Sequence, residues 1–145
     1  MLGRLIRGAL LLSLTAGLAL ALGACGGSST IPTLPTTTPT YTTDTFSSTL
    51  VQLGAVVHPF TVATSGAVSI TLTSVAPLAT MALGVGIGTW DGTSCSTITV
   101  NDNSKMNVAA LSGTAAAGSY CIRVYDSGNI PDGGTVNYTV QVVHP

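Results

Sequence analysis

Residues 66–74 read GAVSITLTS, and apolar and polar side chains alternate along this stretch. Val68, Ile70 and Leu72 occupy every second position, and hydroxyl side chains stand between them. Because successive side chains of a β-strand point to opposite faces, the stretch predicts a strand with one apolar and one hydroxyl-bearing face. Such strands pair in antiparallel sheets whose apolar faces are covered by a second sheet.

The same alternation recurs along most of the chain from about residue 45 onward, where helical periodicity is nearly absent. Turn signals rich in Gly, Asn and Asp separate the alternating runs. We therefore predict an all-β fold, an antiparallel β-sandwich of jelly-roll-like form with seven to eight strands. The predicted strands cover roughly residues 45–50, 56–63, 67–74, 80–88, 97–100, 106–112, 119–126 and 135–143.

Charged residues are scarce, since the 145 residues include four Lys or Arg, five Asp and no Glu. A chain of this length allows one domain. Four basic residues cannot form the clustered basic face that nucleic acids require, so we expect no nucleic-acid partner. Disordered chains combine low hydrophobicity with high net charge. This chain is 46% hydrophobic with a net charge of −1, which predicts a folded domain.

The first 24 residues have the layout of an export signal. Arg4 and Arg7 form a short basic region, and an uncharged run rich in Leu and Ala follows them to Ala24. That run is shorter than the roughly 20 apolar residues of a membrane span and suits the core of a secretory signal. We therefore predict a signal peptide at residues 1–24.

Leu22-Gly23-Ala24-Cys25 resembles the lipobox of bacterial lipoproteins. The resemblance implies cleavage before Cys25 and a diacylglycerol, with acyl chains such as palmitate, on its thiol. Two or more chains hold a protein stably on a membrane, so the membrane is one expected partner. The residue after the cysteine is Gly26 rather than the Asp typical of inner-membrane retention, which favours the outer membrane over the inner or plasma membrane. The alternative is an ordinary signal peptide cut near a cysteine.

Residues 25–43 join this cysteine to the predicted domain at residues 44–145. The segment 26–43 holds eight Thr and three Pro and has few apolar residues. Such a composition cannot bury enough apolar surface to offset its ordering entropy, so we predict a flexible linker. Thr clustered with Pro also resembles O-glycosylated stalks.

Cys95 and Cys121 remain once Cys25 is assigned to lipid. Disulfides persist in exported domains, so we predict a disulfide between these two cysteines. The alternative is a metal or redox pair, but the sequence has no CxxC motif.

Two further stretches support a resemblance to a known family. Residues 58–72, HPFTVATSGAVSITL, resemble the opening of the bacterial pre-peptidase C-terminal domain. Residues 117–126, AGSYCIRVYD, and 136–142, VNYTVQV, resemble its closing strands. The resemblance covers most of residues 46–143. It implies a sandwich that acts as a non-catalytic appendage in secretion, localisation or binding to insoluble material.

Aromatic and acidic residues supply the candidate binding sites. Trp90 and Tyr125, if exposed together, would stack on a sugar ring as in a carbohydrate-binding module. Alternatively, Trp90 packs over the disulfide or caps one end of the sandwich. Asp126 and Asp132 lie in one loop and are candidate calcium ligands, because calcium takes six to eight oxygens. Asp is also a normal turn residue, which is the alternative interpretation.

Catalytic patterns are weak in this sequence. There is no GxSxG motif, and the five Asp are isolated and form no recognisable acid–base pair. We expect His58 at the edge of the core and His144, beside the C-terminus, in solvent. Gly84, Gly86 and Gly88 alternate inside a predicted strand, so we expect them to admit a neighbouring chain or aromatic ring rather than a phosphate.

The sequence therefore predicts a non-catalytic lipoprotein of the cell envelope. Its sandwich would serve adhesion, envelope structure or ligand binding, with a glycan or an envelope protein as partner. The second hypothesis is a carbohydrate-binding module that uses Trp90 and Tyr125, supported by calcium. A hydrolytic enzyme is the third.

Overall fold

The computed structural model describes residues 38–145, and this range holds no helix long and apolar enough to cross a membrane. The signal peptide, Cys25 and most of the predicted linker lie outside the described residues. The described range forms eight β-strands. They are β1 (Thr42–Val51), β2 (Ala55–Val62), β3 (Gly66–Ala76), β4 (Leu83–Trp90), β5 (Cys95–Ser104), β6 (Ala109–Ala115), β7 (Gly118–Tyr125) and β8 (Thr135–His144).

The eight strands form two four-stranded antiparallel sheets. The first sheet has the order β1-β8-β3-β6, and the second has the order β2-β7-β4-β5. The chain crosses from one sheet to the other at every connection except the one between β4 and β5. This strand order is that of a jelly roll, and the predicted antiparallel β-sandwich is confirmed.

The core lies between the two sheets and is built from the alternating apolar positions. On β3, Val68, Ile70 and Leu72 are buried, as the sequence pattern predicts. Burial of each such side chain favours the folded state by about 1.5–3 kcal/mol relative to leaving it exposed to water. The remaining core residues are Leu50, Phe60, Val62, Val75, Leu83, Val85, Ala110, Ile122, Val124, Ile130, Val136, Tyr138, Val140 and Val142.

Four strands differ from the prediction by three or more residues at one or both ends. β1 begins at Thr42 instead of residue 45. β5 runs over Cys95–Ser104 instead of 97–100, and as an edge strand it exposes most of its side chains. Its Asn and Asp residues look like a turn in the sequence although they belong to the strand.

β4 begins at Leu83 instead of residue 80. The residues before it form a turn in which the Met81 N–H donates to the Leu78 carbonyl at 3.0 Å.

β6 begins at Ala109 instead of residue 106. The turn before it contains Asn107, which has a left-handed φ of 62°. The Asn107 N–H donates to the Leu72 carbonyl at 2.7 Å, which ties this turn to β3.

The core predicts a sharp contrast between two isoleucines. Ile122 is 0% exposed, whereas Ile98 is 66% exposed. We expect Ile122→Ala to lower the free energy of unfolding by about 2–5 kcal/mol, because it removes buried methyl groups and leaves a cavity. Ile98→Ala should change it by less than about 0.5 kcal/mol. Urea unfolding followed by Trp90 fluorescence measures both, and equal losses would contradict this assignment of the core.

Candidate functional site

The outer face of the second sheet is built over three glycines of β4. Gly84, Gly86 and Gly88 occupy outward-facing positions of β4. All three are buried by groups that lie over them. A Cβ on Gly84 would overlap the ring of Tyr125, and a Cβ on Gly88 would overlap the backbone carbonyl of Ser96. The sequence predicts that these glycines admit an aromatic ring or a neighbouring stretch of the chain. Both close approaches are confirmed.

The disulfide between Cys95 and Cys121 crosses this face. Cys121 lies on β7 opposite Gly88, and Cys95 lies on β5 opposite Trp90. Because Gly88 has no side chain, the start of β5 can lie directly over β4 and approach β7. The two Cα atoms are 5.8 Å apart and the sulfurs are bonded. The predicted disulfide is confirmed.

Tyr125 lies at the other end of the same face. Its ring packs on Gly84, its hydroxyl donates to the Asp102 carboxylate, and the guanidinium carbon of Arg123 is 5.0 Å from the ring centroid. Burial, followed by the hydrogen bond to Asp102 and the negative charge there, raises the pKa of Tyr125 to about 12. The ring is therefore held by its own neighbours, with a cation–π contact on Arg123.

Trp90 and Tyr125 do not form one aromatic surface. Trp90 ends β4 and is half-buried, whereas Tyr125 pairs with Gly84 near the start of that strand. Trp90 is six residue steps along the strand from Gly84, a distance of about 20 Å at roughly 3.3 Å per residue. One sugar ring cannot stack on both aromatic side chains, so the structure does not bring these predicted residues together.

The carboxylate of Asp126 holds the long loop before β8. Its Oδ1 accepts hydrogen bonds from the N–H groups of Gly128, Asn129 and Ile130 at 2.9–3.1 Å. Its Oδ2 accepts from the Leu53 N–H at 2.9 Å. Partial burial raises the pKa of Asp126, but these four donors together outweigh it and leave the pKa below its ordinary value.

Asp132, the second calcium candidate, is exposed and accepts a hydrogen bond from the Gln52 amide at 2.6 Å. Within residues 38–145, no three His, Cys, Asp or Glu side chains are grouped as metal ligands. The two candidate carboxylates therefore serve loop geometry, and calcium binding stays a prediction.

The two histidines lie between the sheets where β1 faces β2. His58 stacks on Phe46 with ring centroids 4.9 Å apart, and its Nε2 is 2.7 Å from the Tyr138 hydroxyl. His58 is thus at the edge of the core, as predicted. His144 was expected in solvent, and this prediction is wrong: the side chain is 5% exposed.

The reason is the pairing of the last strand, β8, with the first strand, β1. His144 faces into the sandwich from β8, and its Nε2 is 3.1 Å from the Asp44 carboxylate on β1. The ring also packs 5.3 Å from that of Phe60. Both histidines are therefore occupied by structural partners.

Asp102 is the site residue that sequence reasoning missed, because it lies in a stretch that looks like a turn. The signal that points to it is Gly84, which leaves room for the Tyr125 ring to reach across β4 to β5.

No protein-family model matches this chain, and no curated protein matches it either.

Gly88 predicts a steric test of the stapled face. We expect Gly88→Ala to lower the free energy of unfolding by about 1–3 kcal/mol, because the added methyl overlaps rigid backbone. It should also slow formation of the disulfide, since β5 can no longer lie over β4. Gly113→Ala is the matched control, because a Cβ there meets nothing within 4 Å. Urea unfolding and non-reducing gels report both effects, and equal behaviour of the two variants would refute the packing described.

His58 predicts a loss of stability in acid. Burial lowers the pKa of His58 below 6.5, so the unfolded chain takes up this proton at a higher pH than the folded chain. The free energy of unfolding should therefore fall as the pH drops from about 7 to 5. We expect His58→Gln to reduce this slope. Urea unfolding at both pH values measures it, and an unchanged slope in the variant would contradict the assignment.

Proposed function

We propose that this chain is a non-catalytic lipoprotein of the bacterial cell envelope, which displays its sandwich for adhesion, envelope structure or ligand binding. The observation that carries the proposal is the Cys95–Cys121 disulfide in a domain that follows the lipobox-like Leu22-Gly23-Ala24-Cys25. Disulfides persist in oxidising compartments, so the bonded pair supports export. The third cysteine, Cys25, is then left for the lipid.

The charges of the mature chain support a display role. Removal of residues 1–24 takes away Arg4 and Arg7, which leaves Lys105 and Arg123 against five Asp, a net charge of −3. The residues after the signal include 22 Thr and 13 Ser, so the surface is polar mainly through hydroxyl groups. Such a surface suits a solvated module better than acid–base chemistry.

The placement of the histidines supports the absence of hydrolytic chemistry. A hydrolase needs a base within reach of its nucleophile and of substrate. His58 is engaged with Tyr138 and Phe46, and His144 with Asp44 and Phe60. Both rings are thus committed to contacts within the fold, which favours binding over hydrolysis.

The proposed location of the protein is the outer membrane, where the acyl chains on Cys25 would anchor it. The jelly roll fits the appendage role implied by the resemblance of residues 58–72 to the pre-peptidase C-terminal domain. A glycan or an envelope protein is the partner that this role requires.

Lipidation predicts a simple labelling pattern. We expect a clickable palmitate analogue to label the wild-type chain in its bacterial host, and Cys25→Ala to abolish the label, because the thiol is the attachment point. The double variant Cys95→Ala/Cys121→Ala is the matched control and should still be labelled. Label on the Cys25→Ala chain would refute the anchor.

Carbohydrate binding is the second candidate function, and Trp90 is the residue that favours it. Trp90 is partly exposed beside the disulfide, whereas the Tyr125 ring is held by Gly84 and Arg123. A glycan site would therefore centre on Trp90 alone. The predicted glycan-binding pair of Trp90 and Tyr125 is thereby reduced to the Trp90 side chain.

The glycan hypothesis predicts unequal effects of two variants. We expect Trp90→Ala to abolish retention of the chain on insoluble polysaccharide or peptidoglycan, because stacking on the indole is lost. Tyr125→Phe should be retained like the wild type, since it removes a hydroxyl committed to Asp102. Equal retention of both variants, or no retention of the wild type, would end the hypothesis.

A further inference from the structure

A cleft opens between the two sheets on the side where β5 and β6 form their edges. It encloses about 290 Å³ and has walls on both sheets. The first sheet contributes β3 and β6, and the second contributes β4, β5 and the start of β7. Its lining includes Val68, Ile70, Ile87, Ile98, Leu111 and Gly113.

The cleft exists because β6 presents small residues to the core. The inward positions of β6 are Leu111, Gly113 and Ala115, and Gly113 pairs with the buried Val68. A Cβ built on Gly113 meets nothing within 4 Å. Large inward side chains are thus missing on β6 beyond Leu111, and the gap leaves Leu111 only half-buried, whereas Val68 and Ile70 on β3 are buried.

Hydrogen bonds mark the two ends of the cleft. At one end the Asn101 side chain of β5 donates to the Ala110 carbonyl of β6 at 2.9 Å, which joins the sheets. At the other end the Tyr120 hydroxyl donates to the Ala116 carbonyl at 3.1 Å. In the described part of the chain β6 is an edge strand, so backbone polar groups lie along the mouth.

The size and charge of the cleft select its ligand. The lining on β6 from Leu111 to Ala116 is about 17 Å long at roughly 3.3 Å per residue, while packed sheets lie about 10 Å apart. The space is therefore long and one side chain wide. Its volume is about twice that of an engineered apolar cavity of about 150 Å³ that binds benzene.

Neutrality is the second selective feature. None of the lining residues in this described region carries a formal charge, and the Tyr120 hydroxyl is used within the wall. An ionised head group would find no counter-charge here and would lose hydration. Ile98, at 66% exposed, would be covered by an apolar chain that enters the cleft.

We propose that this cleft binds the alkyl chain of a neutral, single-chain amphiphile. The alkyl chain lies between Leu111 on the first sheet and Ile87 and Ile98 on the second. The head group, such as a hydroxyl, bonds to the backbone groups at the mouth. This site is independent of the anchor on Cys25 and of the glycan platform at Trp90.

Photolabelling of the full chain in phosphatidylcholine vesicles tests the proposal. The probe is a diazirine derivative of decanol, and labelled positions are mapped by peptide mass spectrometry. We expect saturable label on residues 98–99 and 111–116, removed by excess decanol. In a second arm, a diazirine-bearing phosphatidylcholine should leave these residues unlabelled, which separates a single-chain ligand from a two-chain membrane lipid.

Variants of Gly113 supply the matched comparison. Gly113→Trp fills the cleft from its own wall, and labelling should fall about tenfold or more, since burial of at least two methylene groups is lost. Gly113→Val is the milder filling variant, in case the indole perturbs the fold. Val108→Trp is the control, because Val108 is 60% exposed and lies outside the lining.

Label spread over exposed apolar residues such as Leu53 and Leu78 would overturn the proposal. Unchanged labelling of a folded Gly113→Trp or Gly113→Val chain would do the same. A protein partner crosslinked at residues 111–116, without saturable decanol label, would replace the ligand and end the proposal.

Discussion

Burial of one apolar face from each sheet is the interaction on which this fold depends. In the described part of the chain, ion pairing is confined to His144 with Asp44, so charge contributes little to cohesion. Valine and isoleucine at alternate positions supply most of the interior. Apolar burial, at about 1.5–3 kcal/mol per side chain, is therefore the main source of cohesion, helped by the covalent link between β5 and β7.

The two open sides of the sandwich, where the edge strands of the two sheets face each other, differ in how far side chains close the gap. Where β1 faces β2, His58, Tyr138 and His144 fill the gap, and no buried side-chain N or O atom in the described residues lacks a partner. Where β5 faces β6, the amide of Asn101 joins the sheets at one point and Gly113 leaves space beside it. One side is thus sealed by aromatic and polar contacts, and the other holds an accessible apolar cleft.

Local alternation determines what could be predicted from the sequence. The strand around Val68 and the disulfide follow from patterns that need no knowledge of register. The burial of His144 does not, because it depends on the pairing of β8 with β1 and on Asp44 being its neighbour there.

The sequence predicts only part of β5, residues 97–100, for a related reason. An edge strand exposed on both faces has no alternation to detect, and its Asn and Asp residues resemble a turn. The cleft also stayed hidden, because the predicted strand 106–112 ends one residue before Gly113. Only the observed register of β6, with Gly113 opposite Val68, places this glycine on the inner face.

The outer face of the second sheet is largely covered by groups of the chain itself, which leaves little free surface there for a ligand. Gly84 is covered by Tyr125 and Gly88 by the start of β5, so the surfaces that the glycines free are already filled from within the chain. Gly113 is the contrasting case, since nothing fills the space beside it. A rigid display domain gains free energy from a ligand that covers apolar side chains still in contact with water. In the described structure Ile98 and Leu111, at the cleft beside Gly113, meet that condition.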